Sequence, residues 1–305
     1  MQIGLMFEGQ MGLNWEHWKK ILTIAEDAGY QSVFRSDHFC DPQGPFQDAL
    51  ELWTSLTYAA TVTQKIEFGP LVTPITFRHP ALLAQYGAAV DVLSAGRLVF
   101  GFGIGWSERE HTAFDIDFPA RTQRYERLED TLEIVTRLYK AEAPISYEGK
   151  HFALKDAQIT MKRPDTKILI GGRGPKKTLP LVAKYADEWN STFMNYDDYI
   201  ERGQLLDSYL EDLGRQPEAV KRSMMIHMWY GKDDAAVAKR IEHLSLSKEE
   251  LQARGLAVGT GSEIVDILGK WQDAGLERVM LQWVDYDHLE ELYDLAADVL
   301  PHFHK

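Results

Sequence analysis

Short runs of β-branched and aromatic residues alternate with longer amphipathic stretches from one end of the chain to the other. That is the pattern of βα units laid around a parallel sheet. The runs are QIGLMF (2–7), QSVFRS (31–36), KIEFGPLV (65–72), RLVFGFG (97–103), KILIGG (167–172), EWNSTF (188–193), RSMMIHMWY (222–230) and RVMLQW (278–283). The first helix runs from an N-capping Asn14 to a terminating Gly29, and the second covers 48–61. A third starts at Pro80, ends near Ser94 and is followed by Gly96, with proline in the first turn and glycine past the end. Further helical periods cover 107–114, 121–141, 176–186, 196–213, 233–255, 262–274 with Ser262 as cap, and 287–299.

Residues 145–162 break the rhythm. They alternate like an antiparallel excursion around Glu148-Gly149, and they read as an insertion after the fourth βα unit. Eight strands, each followed by helix, predict an α/β fold of the (β/α)8 TIM-barrel type. A doubly wound open sheet is the alternative, but no dinucleotide fingerprint supports it.

Composition narrows the picture. A length of 305 residues suits one barrel, and no Gly/Ser- or Pro-rich tract reads as a linker, so a single domain over 1–305 is expected. The net charge of −13 would repel a phosphodiester backbone, which argues against nucleic acid as a partner. No apolar run approaches the ~20 residues that span a bilayer. The start, MQIGLMFEGQ, lacks the basic and apolar regions of a secretory signal, so no membrane association and a cytoplasmic location are expected. Cys40 is the only cysteine and has no partner for a disulfide. The histidines are scattered without HExxH, and no G-x-S-x-G occurs, so neither a metal centre nor a serine triad is expected.

In a barrel, function collects where strands end. Four stretches there carry chemistry. VFRSDHF (33–39) puts Asp37 beside His38, a residue able to exchange protons near neutral pH. GFGIGWSERE (101–110) spaces glycines at 101, 103 and 105, which is not GxGxxG; such spacing lets a flat ring approach the backbone, or lets elements pack tightly. IGGRGPKKT (170–178) is a glycine-rich turn before a helix, with Arg173, Lys176 and Lys177 adding positive charge, which suits an anion. FGPLVTPITFRHP (68–80) holds prolines within and after a strand, so the ladder must bulge or end there.

These stretches resemble the bacterial luciferase-like oxidoreductases, particularly the branch that uses the deazaflavin coenzyme F420. SVFRSDHF, FGPLVTPITFRHPALLAQ, VDVLSAGRLVFGFGIGWSEREH, RYERLEDTLEIVTRLY, YEGKHFAL and ILIGGRGPKKTLPLVAKYADEWN carry the resemblance over about residues 1–195. It implies a barrel with an isoalloxazine or deazaisoalloxazine ring at its carboxyl face. Asp37 and His38 then fall beside the ring, with His38 as the catalytic proton carrier. Pro70, Leu71 and Thr73 fall on a bulge behind the ring, with a cis peptide expected at Pro70-Leu71. Gly103 and Gly105 fall next to the ring, and Gly172, Arg173 and Gly174 at its phosphate. Where some relatives have an acid just after the glycines, this chain has Trp106.

The reaction implied is hydride transfer between F420 and a small organic substrate. Two alternatives stay open at this point: an FMN-dependent monooxygenase served by a separate flavin reductase, and a flavin-binding protein without turnover. Trp106, Phe193, Met194, Trp229 and Trp283 are the expected substrate wall. Dimers occur among relatives of this type, and no stretch of this sequence decides for or against a homodimer.

Overall fold

Strand β1 (Gln2–Phe7) is buried from Ile3 onward and pairs in parallel on both sides, with β2 (Ser32–Arg35) and with β12 (Arg278–Trp283), the last strand of the chain. The computed structural model describes residues 1–303. Beyond β2 comes β3 (Glu67–Pro70); beyond β12 come β10 (Lys221–Tyr230), β9 (Glu188–Thr192), β8 (Lys167–Gly171), β5 (Val99–Gly103) and β4 (Thr73–Pro74). Strands β3 and β4 are two halves of one stave, parted by Leu71 and Val72. The first half pairs with β2 and the second with β5. The Phe68 N–H donates to the Arg97 carbonyl at 3.1 Å, and the ring closes. This is a (β/α)8 barrel, parallel throughout.

The helices lie outside: α1 (Trp15–Ala28), α2 (Leu52–Val62), α3 (Pro80–Leu93), α4 (Glu108–Ala113), α5 (Arg121–Lys140), α6 (Thr178–Tyr185), α7 (Tyr196–Asp212), α8 (Asp234–Ile241), α9 (Lys248–Ala253), α10 (Gly261–Asp273) and α11 (Glu291–Val299). Strand side chains alternate between two cores. Inward positions Met6, Phe34, Val99, Leu169, Met225 and Met280 fill the barrel. Their neighbours Leu5, Val33, Phe100 and Ile170 face the helices and join the larger outer core. The amino-terminal end of the barrel is closed by a wholly buried Arg278, paired with Glu67 and lying 3.5 Å from Glu188.

Asn14 caps α1 by accepting the His17 N–H, and Gly29 ends it at φ 86°. Other boundaries differ from the sequence reading. The second helix starts at Leu52 because the Glu51 carboxylate caps it through the Thr54 N–H, at 2.7 Å. The helix read as beginning with a Ser262 cap is instead capped by Thr260, whose N–H donates to Glu263 Oε2 at 2.9 Å. The stretch 233–255 is two helices, the second opened by a Ser247/Glu250 capping box. A strand missed from sequence, β11 (Ala257–Gly259), extends the outer end of β10.

Residues 145–162 hold an antiparallel pair, β6 (Ile145–Glu148) and β7 (Ala153–Ala157). Asp130 of α5 anchors it, accepting from the Tyr147 hydroxyl at 2.8 Å and the His151 N–H at 2.7 Å. Among the described residues, no helix is long and apolar enough to cross a membrane.

Candidate active site

The end of β2 divides its two polar residues. Asp37 is 2% exposed and turns into the wall, where it accepts from the Thr73 hydroxyl (2.7 Å) and from both Arg78 nitrogens (2.5 and 3.2 Å). Arg78 also binds Glu51 at 2.9 Å. His38, one residue on, points into the mouth of the barrel.

Behind His38 stands Glu110 of α4, fully buried. Both its oxygens lie 2.8 Å from His38 Nδ1, and it also accepts the Phe39 N–H at 3.1 Å. Burial of the imidazole opposes its protonation, but the hydrogen bond and charge of Glu110, aided by Glu8 and Asp37, outweigh this and raise its pKa. The Trp106 ring meets His38 edge-on, with centroids 5.6 Å apart. The loop after His38 is tied down by Arg109, which donates to the carbonyls of Asp41 (2.8 Å) and Gly44 (2.6 Å).

The break in the third stave carries a cis peptide at Leu71–Val72, one residue beyond the expected Pro70–Leu71. Its side chains press on the neighbouring glycines. A Cβ on Gly103 would lie 2.4 Å from Val72 Cγ2, and one on Gly101 would lie 2.2 Å from the Pro70 carbonyl oxygen. The glycine spacing therefore admits the bulge itself, and the bulge forms part of the cavity floor. Gly105 takes a left-handed φ of 76° at the rim.

Two recesses open at this mouth and share Ile104, Gly171 and Gly172. The first, about 520 Å³, is lined by His38, Leu71, Val72, Gly103, Gly105, Trp106, Gly172 and Phe193, with Glu8, Gln10, His227 and Gln282 opposite. Glu8 is fixed there by amide donors, Gln282 Nε2 at 2.6 Å and Gln10 Nε2 at 2.9 Å. His227 is held below its ordinary pKa by burial. The second recess, about 620 Å³, lies over the β8–α6 turn and is lined by Gly172, Arg173, Gly174, Thr178 and Met194, with Arg121, Tyr125 and Arg202. The Thr178 and Tyr125 hydroxyls are 3.0 Å apart, and Arg173 donates to the Phe193 carbonyl at 2.8 Å.

A profile of the luciferase-like monooxygenase family matches residues 4–292. The chain belongs to that family. It is 29% identical to the F420-dependent glucose-6-phosphate dehydrogenase of Microbacterium testaceum, over 93% of this chain and 92% of that protein. An F420-dependent secondary alcohol dehydrogenase, solved in complex with an F420–acetone adduct, superposes with a TM-score of 0.88 at 18% identity, covering 100% and 99% of the two chains. A long-chain alkane monooxygenase superposes at 0.79 with 15% identity, covering 99% and 90%. At those identities, the two structures speak for the fold.

In this luciferase-like chain, most residues singled out from sequence meet at the two recesses, and seven do not. Asp37 and Thr73 serve the Arg78 network, and Pro70 stays in the ladder opposite Arg35. Trp283 is 2% exposed; its indole N–H is spent on the Asp285 carbonyl at 2.6 Å, beneath the Arg240 guanidinium. Trp229 packs on the small cluster of Val237, Leu251 and Val258. Lys176 and Lys177 are exposed and line neither recess. Missed from sequence were Glu110, Glu8, Gln282 and His227, and around the second recess Arg121, Tyr125 and Arg202.

Proposed function

We propose that this chain is an F420-dependent oxidoreductase built as one domain, passing hydride between the coenzyme and a small organic substrate, with His38 as the proton carrier. The observation that carries this is the His38–Glu110 pair at the edge of a cavity that adjoins an arginine-lined cleft. The residues present suit such a coenzyme: the Leu71–Val72 bulge offers a flat apolar backing, and Gly172, Arg173, Gly174, Thr178 and Tyr125 offer amides, charge and hydroxyls to a phosphate. Relatives that match over most of their length carry F420 in their names, which supports the same reading.

When bound, the coenzyme supplies a two-electron hydride acceptor or donor. The protein supplies the proton chemistry. Glu110 occupies Nδ1 of His38, so Nε2 is the nitrogen left to take the proton of a substrate hydroxyl, and the imidazolium so formed is stabilised by the carboxylate behind it. Phe193 and Trp106 line the His38 cavity, where the substrate would lie, and Met194 lines the neighbouring cleft.

Loss of the F420 absorbance on addition of alcohol, followed with wild type and His38→Ala, tests this. The expected outcome is turnover lowered at least ~100-fold in the variant with F420 still bound. Unchanged activity would remove His38 from the chemistry. The FMN-dependent monooxygenase reading, with its flavin reductase, is supported by the family name and by monooxygenases of the same fold; oxygen uptake with reduced FMN and none of the F420 activity would favour it.

A further inference from the structure

The two recesses differ in their charged residues, the cleft over the β8–α6 turn pairing one carboxylate, Asp198, with three arginines. All the arginines, Arg121, Arg173 and Arg202, line the cleft over the β8–α6 turn. Among the described residues, no lysine or arginine lines the His38 cavity, whose ionisable groups are Glu8, Asp41, His38 and His227. Glu8 cannot swing away from a ligand, because amide side chains hold both its oxygens. His38 has its charge matched by Glu110 at 2.8 Å, and His227 is held by burial toward its neutral form. The rest of the wall is largely apolar, with Met6, Leu71, Val72, Ile104, Trp106 and Met225.

A phosphate or carboxylate on a substrate bound against His38 would enter this cavity without a counter-ion, facing fixed negative charge. Removing such a group from water unpaired is strongly unfavourable. The arginines lie across the ridge of Ile104, Gly171 and Gly172. On the coenzyme reading above they are occupied by the coenzyme's own phosphate.

We infer that the substrate is a small, uncharged, mostly apolar alcohol or its carbonyl counterpart, and that Glu8 with the cation-free wall rejects sugar phosphates. The inference rests on the F420 reading, and it separates this chain from the glucose-6-phosphate dehydrogenases it resembles. In the oxidative direction, the carbinol C–H bond breaks with its electron pair going to the coenzyme as hydride. The hydroxyl proton goes to His38, and the carbonyl compound is left. The coenzyme gains the two electrons that the alcohol loses.

The experiment uses the F420-saturated protein and compares kcat/KM for propan-2-ol, cyclohexanol, glucose and glucose 6-phosphate. The best uncharged alcohol should exceed glucose 6-phosphate at least ~100-fold, a margin within reach of a site that leaves an unpaired group buried. Thr192→Lys, which adds a cation to the wall, and Glu8→Gln, which removes an anion, should each move that ratio toward the phosphate by at least ~10-fold. Glucose 6-phosphate turned over as well as the best alcohol by the wild type, or no turnover of any uncharged alcohol by protein that binds F420, overturns the inference and leaves the coenzyme reading standing. A titration showing no F420 binding is a separate result, and it removes both.

Discussion

His38 Nδ1 lies 2.8 Å from both oxygens of Glu110, a fully buried carboxylate 72 residues away in sequence. The pair fixes the ring and sets its titration. Because Glu110 raises the His38 pKa against the opposing effect of burial, alcohol oxidation, which needs the neutral ring, should gain its acid limb at that raised value. Glu110→Gln keeps the shape and loses the charge. It should lower kcat ~100-fold and move the acid limb to lower pH. A pH profile of the variant that superimposes on wild type would show that Glu110 does not act on His38.

Arg78 neutralises a buried Asp37. Arg78→Met should therefore destabilise the protein by about 3–5 kcal/mol in urea denaturation, since it strands a buried carboxylate with Thr73 as its remaining side-chain donor. Adding Asp37→Asn to that variant should recover part of the loss. No recovery would mean that Arg78 acts through packing rather than charge.

Gly103 faces Val72 with no room for a methyl group, the added Cβ falling 2.4 Å from Val72 Cγ2. Gly103→Ala should cost about 1–3 kcal/mol and weaken coenzyme binding, because the bulge must move. The double variant with Val72→Ala should bind coenzyme more tightly than Gly103→Ala alone. This is measured by fluorescence titration.

Glu263 joins the α10 cap to Lys248 at 2.9 Å, and these bonds, led by Lys248, lower its pKa from 4.5 to about 2. A carboxylate with a depressed folded pKa contributes stability above its unfolded value and loses it as pH falls through the folded one. Glu263→Gln should thus lower stability by about 1 kcal/mol at pH 7, the usual worth of such a cap. The difference in Tm should narrow from about pH 4.5 downward. A gap that stays constant to pH 3 would contradict the assignment.

The barrel was legible because each stave has its own run of β-branched or aromatic residues, and Asn14, Gly29 and Pro80 punctuate the helices as read. The site was legible in part. His38, Gly103, Gly105 and the 172–174 turn, singled out from strand ends and glycines, line the two recesses. Asp37, expected beside a ring, lines neither recess, because adjacent residues of an extended chain face opposite sides and only one of an Asp-His pair enters the cavity. The same alternation sends Gln282 inward and Trp283 outward. Glu110 was hidden because its reach to His38 depends on how α4 docks, which no local pattern encodes. The break at Leu71–Val72 was placed one residue early, since proline marks a disturbed ladder without fixing its register.

On the reading proposed above, the mouth of this barrel holds a deazaflavin rather than a flavin. Parallel titrations of the purified protein with F420 and with FMN, followed by fluorescence, test it most directly. The account predicts saturable binding of F420 with the lower Kd and competition by inorganic phosphate that weakens in Arg173→Ala. Tighter binding of FMN, or F420 binding that ignores both phosphate and Arg173, would contradict it.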